Sequence, residues 1–366
     1  MQSAEFSFMD VRKALIAQHL KILKDLQYDT GLFAASDKSV STGYDKSWLR
    51  DNFYECLAFE ILRDWETVYK TYRALLNIFI KHEYKLDHAI TKKPEHRHQY
   101  IHARFHPHTF EEFWEEWGNK QNDAIGAILF GIGSIELSAK HDSKIIETAA
   151  DVRVINKLVQ YLISIQYWHD IDSGMWEEDE EIHASSIGAC VAGLKAISKV
   201  KGVHVPSSAI VKGRKALDAL LPRESKKKFV DLSLLSLIWP YHVVTKEQRE
   251  KILSHIEYHL LRKKGVIRYK NDHYYNKNTD GYSEEAEWTF GLSWLSIIYR
   301  KFGMMSKAAH FEQLALAAVN KKGQVPELYY SNTNIHNDNS PLGWSESMLV
   351  IALHEMQHKH FRDVKS

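Results

Sequence analysis

The chain has 366 residues, 44% hydrophobic and 26% charged, with a formal net charge of +1. That composition is ordinary for a globular chain with a sizeable core and excludes disordered and membrane classes. Mixed charge leaves no footprint for nucleic acid, and there is no run of about 18 apolar residues to span a bilayer. Glu5, Asp10, Arg12 and Lys13 precede any apolar run, the wrong order for a signal peptide, so a cytoplasmic protein without nucleic-acid or membrane partners is expected. Cys56 and Cys190 lie in apolar helical pattern and imply no disulfide framework. The unusual entries are 10 Trp, 18 Tyr, 15 Phe and 21 His, many of them between the helical segments, which points to a ligand surface lined with rings.

Helical spacing of Leu15, His19, Ile22 and Leu26 predicts a first helix over Phe6–Leu26, followed by a loop from Tyr28 to Lys46. Helices are predicted over Trp48–Leu62 and Trp65–His82, then an irregular stretch from Glu83 to Trp117 with histidines at 96, 98, 102, 106 and 108. Ile125, Ile128, Leu129 and Ile132 fit the i, i+3, i+4, i+7 pattern, and Ile155, Leu158, Val159 and Leu162 repeat it. An acidic, aromatic loop, Trp168 to His183, precedes a helix over Ser186–Val200 with Gly202 as its expected C-cap. A helix over Ser207–Leu221 leads to Lys226-Lys227-Lys228, read as a solvated turn. Asp231–Trp239 is a short apolar helix, and Thr245 with Gln248 forms a capping box opening a helix to Leu261. After a tyrosine-rich loop from Lys263 to Ser283, helices are predicted over Glu285–Phe302, Ser306–Val319 and Ser345–His360, with a loop from Asn320 to Gly343 before the last. About twelve helices, almost no strand alternation and no flexible linker give one all-α domain over residues 1–366. Periodicity leaves solenoid, bundle and toroid equally open.

The chemistry-bearing residues gather between helices. Trp176-Glu177-Glu178 places a flat apolar ring beside carboxyls, a ring that suits the C–H face of a sugar and a carboxyl that burial would turn into a general acid. The same loop also fits a solvated acidic turn over one packed tryptophan. Arg50-Asp51 at a helix start is expected to orient the carboxylate and lower its pKa, leaving an acceptor for hydroxyls. Trp117-Gly118 with Gln121 and Asp123 repeats the grouping of ring, amide and carboxylate. Glu327, after Pro326, has no evident structural task and is the natural partner of Glu177, since glycoside hydrolysis requires two carboxyls.

This ordered set resembles glycoside hydrolase family 15, the glucoamylase family. Tyr44-x-x-x-Trp48-x-Arg50-Asp51, Trp117-Gly118-x-x-Gln121-x-Asp123, Trp176-Glu177-Glu178, Arg268-Tyr269-x-x-Asp272-x-Tyr274-Tyr275, Pro326-Glu327 and Trp344-Ser345 match its motifs in order along nearly the whole chain. The resemblance implies an (α/α)6 barrel with the site at one end, and an inverting exo-hydrolase that needs no cofactor or metal and takes a small oligosaccharide as substrate. It assigns Glu177 as general acid and Glu327 as general base, roughly 6.5 to 9.5 Å apart to admit the water. It places Tyr44, Trp48, Arg50, Asp51, Trp117, Gln121, Asp123, Trp176, Glu178, Arg268 and Trp344 around the sugar. No starch-binding module, N-terminal β-sandwich or export signal is evident, which suits short imported α-glucosides, with an α-1,6 linkage favoured over α-1,4 or trehalose.

Two other readings use parts of the same sequence. The regulatory subunits of phosphorylase kinase carry a domain similar to this family, and a relative of that kind would bind sugar without cutting it. Asp170-x-Asp172 resembles the start of a calcium loop, but Met175 stands where the turn glycine belongs, and the histidines from 96 to 108 fit no zinc spacing.

Overall fold

Helices apolar on every side alternate along this chain with helices apolar on one face, and that alternation dictates two layers. In the computed structural model, which describes residues 2–113, 115, 120–138, 144–276 and 284–355, and only the backbone of 2–9 and 355, the first half runs as follows. It holds α1 (Gln2–Leu26), β1 (Ser47–Trp48), α2 (Leu49–Leu62), α3 (Trp65–Lys81), α4 (Glu83–Thr91), β2 (Arg104–Phe105), α5 (Asn122–Glu136), α6 (Ala149–Ser164) and α7 (Ala184–Ile197). The second half adds α8 (Ser207–Leu220), α9 (Leu235–Ile238), α10 (Lys246–His259), β3 (Glu287–Trp288), α11 (Phe290–Lys301), α12 (Met305–Ala317), β4 (Leu328–Tyr329) and α13 (Gly343–Glu355).

The buried helices close a ring: α2 packs on α5, α5 on α7, α7 on α9, α9 on α11, α11 on α13, and α13 back on α2. The amphipathic helices form a second ring outside, with α1 against α13, α3 against α2, α6 against α3, α8 against α7, α10 against α9 and α12 against α11. This is the (α/α)6 toroid, with α4 as an extra helix on α6. The inner ring is tightest between α5 and α7, where a Cβ at Gly126 would lie 2.5 Å from backbone atoms of Ala189 and Cys190. Only glycine permits that approach. The first helix is joined to α12 by a buried Arg12–Glu312 ion pair and to the last, α13, by Arg12 donating to the Leu353 carbonyl at 3.0 Å.

Several predicted boundaries move. Glu83–Thr91 is a helix rather than irregular chain; it offers only Leu86 and Ala89 as buried apolar side chains, too few to show a period. Trp48 belongs to β1, which pairs antiparallel with β2. Glu287 and Trp288, predicted as helix, pair with Tyr329 and Leu328, and the Trp288 backbone N–H and C=O are committed to Val266 at 3.1 and 2.9 Å rather than to a helical turn. The cap of α7 is Ser198, not Gly202, whose φ of 86° serves a later turn. The capping box of Thr245 and Gln248 is present as predicted. The end of the last predicted helix, beyond residue 355, lies outside the described residues.

The starts of the inner helices converge beside the two β pairs: Arg50 in the first turn of α2 reaches Gln121 just before α5, the Asn122 amide opening α5 reaches Asp172 in the loop before α7, and Thr289 just before α11 meets Ser345 in the first turn of α13. The positive ends of the helix dipoles meet at that point, an environment that suits carboxylates.

Candidate active site

One wall comes from β1 and the first turn of α2. Arg50 is buried and donates to Gln121 Oε1 at 2.9 Å, to Glu177 Oε1 at 3.2 Å and to Asp51 Oδ2 at 3.4 Å, so a single guanidinium ties together three separated motifs. Its charge lies 5.7 Å above the Trp344 ring. Asp51 does not have the depressed pKa expected of an Arg-Asp pair. Burial outweighs Arg50, and with Glu177 and Glu327 adding repulsion its carboxyl is raised to about 6. Asp123, buried at the start of α5, is raised for the same first reason. One turn below Asp51, Glu55 is fully buried, neither carboxyl oxygen has a hydrogen-bond partner, and burial raises its pKa well above the carboxylate range. A carboxyl without hydrogen-bond partners therefore lies beneath the site. It fills the space beside Gly343, where a Cβ would lie 1.9 Å from Glu55 Oε1.

The second wall is the loop from Asp172 to Glu181, whose ends exchange backbone hydrogen bonds of 2.9 and 3.0 Å. Inside it Glu177 has a φ of 62°, a left-handed conformation that costs a side-chain-bearing residue about 1–2 kcal/mol and that clusters at functional sites. Its side chain is 9% exposed. Trp176 is anchored by its indole N–H, which donates to Asp231 Oδ1 at 2.8 Å. Its ring lies within 5.7 to 6.3 Å of Trp288, Phe290 and Trp344. Trp344 in turn stacks on Phe290 at 4.6 Å and on Tyr54 at 4.2 Å, so the aromatic floor is a continuous stack. Glu178 accepts from Arg268 Nη2 at 2.7 Å, Tyr269 Oη at 2.5 Å and Lys228 Nζ at 3.0 Å. Burial pushes its carboxyl up, but those partners prevail and hold it below the usual range. Arg268 is itself clamped by both oxygens of Asp272 at 2.7 Å, with Trp288 and Tyr274 each 4.9 Å away.

Glu327 closes the circle. Its backbone is fixed by Thr289 N donating to its carbonyl at 3.1 Å and by its own N–H donating to Asn339 O at 2.9 Å. Tyr44 Oη donates to Oε1 at 2.9 Å, while Asn337 and Asn339 donate to Oε2 at 2.5 and 2.7 Å. Burial raises its pKa, and the amides and Tyr44 pull the other way. Tyr44 also meets Tyr274 Oη at 2.9 Å. Glu177 and Glu327 act on the same two neighbours, both raising the pKa of Asp51 and of Tyr44. Both carboxyls are held from residues 44–50, Glu177 by Arg50 at 3.2 Å and Glu327 by Tyr44 at 2.9 Å. Among the site residues Arg50 Nε, Asp123 Oδ1, Trp288 Nε1 and Trp344 Nε1 are buried with no hydrogen-bond partner, groups that ordinarily call for one.

The sequence profile described as glycosyl hydrolases family 15 matches residues 10–287. The chain belongs to this family. The match contains Glu177 and ends before Glu327. Among curated relatives, the skeletal muscle alpha regulatory subunit of phosphorylase b kinase from Oryctolagus cuniculus is 30% identical over 248 residues, 57% of this chain and 19% of that subunit. The chain thus spans about a fifth of the length of such relatives. A glycosidase solved in complex with glucose superposes with a TM-score of 0.78 at 17% identity, covering 94% of this chain and 96% of the other. A bacterial glucoamylase solved with acarbose gives 0.72 at 16% identity, covering 94% and 56%. At such identities the structures establish the fold.

Tyr44, Trp48, Arg50, Asp51, Gln121, Asp123, Trp176, Glu177, Glu178, Arg268, Glu327 and Trp344 all fall at this end of the family's toroid. Trp117 lies outside the described residues. Trp48 packs beside Tyr44 at 5.4 Å and under Arg104 at 5.6 Å. Missed were Asn337, Asn339, Asp231 and Lys228. The asparagines carried a signal, a run of Asn and Asp between Glu327 and Pro341 denser than a turn needs. Lys228 corrects an expectation: only Lys226 and Lys227 form an exposed turn, while Lys228 points inward at 14% exposure. Asp170 and Asp172 are occupied by Lys120 at 3.0 Å and the Asn122 amide at 2.9 Å. Among the described residues no group of three or more His, Cys, Asp or Glu is arranged to hold a metal, and no helix is long and apolar enough to cross a membrane. Within the histidine stretch His102 is buried, which with Arg104 and Lys85 lowers its pKa to about 4.

Proposed function

We propose that the chain is an inverting, exo-acting α-glucoside hydrolase that releases β-glucose from the non-reducing end of short oligosaccharides, with α-1,6 linkages as its preferred target. The observation that carries this reading is that two carboxyls on separate loops are held by the same short stretch of chain, Glu177 by Arg50 at 3.2 Å and Glu327 by Tyr44 at 2.9 Å. Glu177 donates a proton to the leaving oxygen. Burial raises the pKa of the Asp51, Asp123 and Glu327 carboxyls beside it. Glu327 takes a proton from water on the opposite face. Its raised pKa makes it a stronger base, and three donors fix its direction. Arg50 and Asp51 hold the hydroxyls of the terminal glucose, and the unpartnered Trp288, Trp344, Arg50 and Asp123 atoms match a polyhydroxylated ring in both donors and acceptors. Trp176 receives its C–H face, Trp344 supports that floor beneath Arg50, Gln121 holds Arg50 in place, and Glu178 and Arg268 meet the unit beyond the scissile bond. Developing oxocarbenium charge is met by the surrounding carboxylates.

Similarity to the phosphorylase b kinase subunits favours a second reading, a sugar-binding domain that does not hydrolyse. Glucose release from isomaltose, maltose, panose and trehalose, measured for the wild type, Glu177→Gln and Glu327→Gln, separates the two. Cleavage lost in both variants supports the hydrolase. Sugar-dependent tryptophan fluorescence without release from any substrate supports the binding domain.

A further inference from the structure

Glu177 is flanked in sequence by two residues whose side chains are held from outside the loop. Trp176 donates to Asp231 Oδ1 at 2.8 Å, and Glu178 accepts from Arg268, Tyr269 and Lys228. One ammonium reaches both anchors. Lys228 Nζ is 3.0 Å from Glu178 Oε2 and 3.9 Å from Asp231 Oδ2, and lies 3.7 Å from the centre of the Tyr269 ring. Asp231 Oδ2 has no hydrogen-bond partner, and Arg268 spends two of its donors on Asp272. Lys228 itself cannot drift. Its carbonyl accepts from the Glu224 and Ser225 amides at 3.1 Å, and its N–H donates to Ser225 Oγ at 3.0 Å. Glu224 in turn accepts from Ser185 in the first turn of α7. A tight turn anchored to an inner helix thus presents one cation between two carboxylates.

We infer that Lys228 is a positioning residue for Glu177, bridging Asp231 and Glu178 so that the side chains on either side of the left-handed residue are fixed and the Glu177 carboxyl is aimed into the site. The inference rests on the reading of Glu177 as the acid. Without the ammonium, Asp231 and Glu178 face one another, with Glu224 behind, and Asp231 keeps only the Ser233 amide, at 2.8 Å, and the Trp176 indole on Oδ1. Repulsion between the two carboxylates then shifts Asp231 and Glu178 apart, and the turn at Glu177 that they hold loosens. Lys226 and Lys227 are exposed beside it, and the Lys227 ammonium reaches only the exposed Asp179, at 3.9 Å.

The test uses the full chain, labelled with 5-fluorotryptophan, as wild type, Lys228→Met, Lys228→Arg, Lys227→Met and Glu178→Gln, and as the Lys228→Met/Glu178→Gln double variant. On whichever α-glucoside the wild type cleaves, Lys228→Met is expected to lower kcat about tenfold to a hundredfold, the scale of an ångström of misplacement, with KM within about threefold. Lys228→Arg should restore most of the loss, Lys227→Met should match the wild type, and Lys228→Met should cost far less in the Glu178→Gln background. The Trp176 fluorine resonance, assigned with Trp176→Phe, should shift in Lys228→Met alone of the two lysine-to-methionine variants. Unchanged kcat, equal cost in both backgrounds, or an unmoved Trp176 resonance would each overturn the inference. If the wild type cleaves nothing, the hydrolase reading fails by itself. The fluorine spectrum then still decides whether Lys228 holds Trp176.

Discussion

Removing the Tyr44 hydroxyl isolates what directs the proposed base. In Tyr44→Phe the ring stays beside Trp48, 5.4 Å away, and only the 2.9 Å hydrogen bond to Glu327 Oε1 and the 2.9 Å contact with Tyr274 Oη are lost. A hydrogen bond to a charged group contributes about 1.5–3 kcal/mol. Expressed in the transition state, that is a drop in kcat of about tenfold to a hundredfold. KM should change by less than about threefold, because the lost bond is to the base rather than to the sugar. The variant also has a pH signature. Glu327 acts ionised, and burial places its folded pKa above the ordinary glutamate value, so activity is present above that pKa and lost as pH falls through it. Tyr44 is one of the groups pulling the pKa down, so its loss should move the acid limb of kcat/KM to higher pH. Steady-state kinetics across pH, with melting curves to confirm an intact fold, check both parts. Unchanged kcat, or an acid limb that moves to lower pH, would refute the reasoning.

Two further expectations concern the toroid. Gly126→Ala drives a Cβ against α7 backbone atoms at 2.5 Å, which no rotamer relieves, so it should cost about 3 kcal/mol in urea unfolding, the upper end for overpacking. Gly303→Ala, at a φ of 74° with open space around it, should cost only about 1 kcal/mol; equal costs would show that close α5–α7 packing is not what Gly126 provides. Arg12→Met removes one side of a buried ion pair while Glu312 keeps Arg300 at 3.5 Å. A loss of about 3 kcal/mol is expected, the low end for breaking such a pair, and a loss below about 1 kcal/mol would mean that the junction of α1 with α12 and α13 is held by apolar packing.

Much of the layering can be read from the sequence because it depends on period. Inner helices such as α13, with Met348 through Leu353 all buried, are apolar on every side, whereas α3 shows one apolar face. Ring closure is not local: the contact of α13 with α2 joins the two ends of the chain, and periodicity is silent about it. The β pairs were missed because two-residue strands show no alternation. In the site, carboxyls and tryptophans stand out by type, while their supports do not. Asp231 sits in a segment that reads as the start of an apolar helix, and Lys228 is the third of three lysines, of which two are exposed. Asp51 shows the limit most clearly. Its neighbour Arg50 is visible in sequence and argues for a depressed pKa, but burial and the approach of Glu177 and Glu327 are tertiary facts, and together they prevail.

The proposal that Glu177 and Glu327 work as an inverting pair is tested most directly by proton NMR of the first glucose released from the substrate the wild type cleaves fastest. The account predicts β-glucose at early times, before mutarotation, and none from Glu177→Gln or Glu327→Gln. Early α-glucose, or undiminished release from either variant, would contradict it.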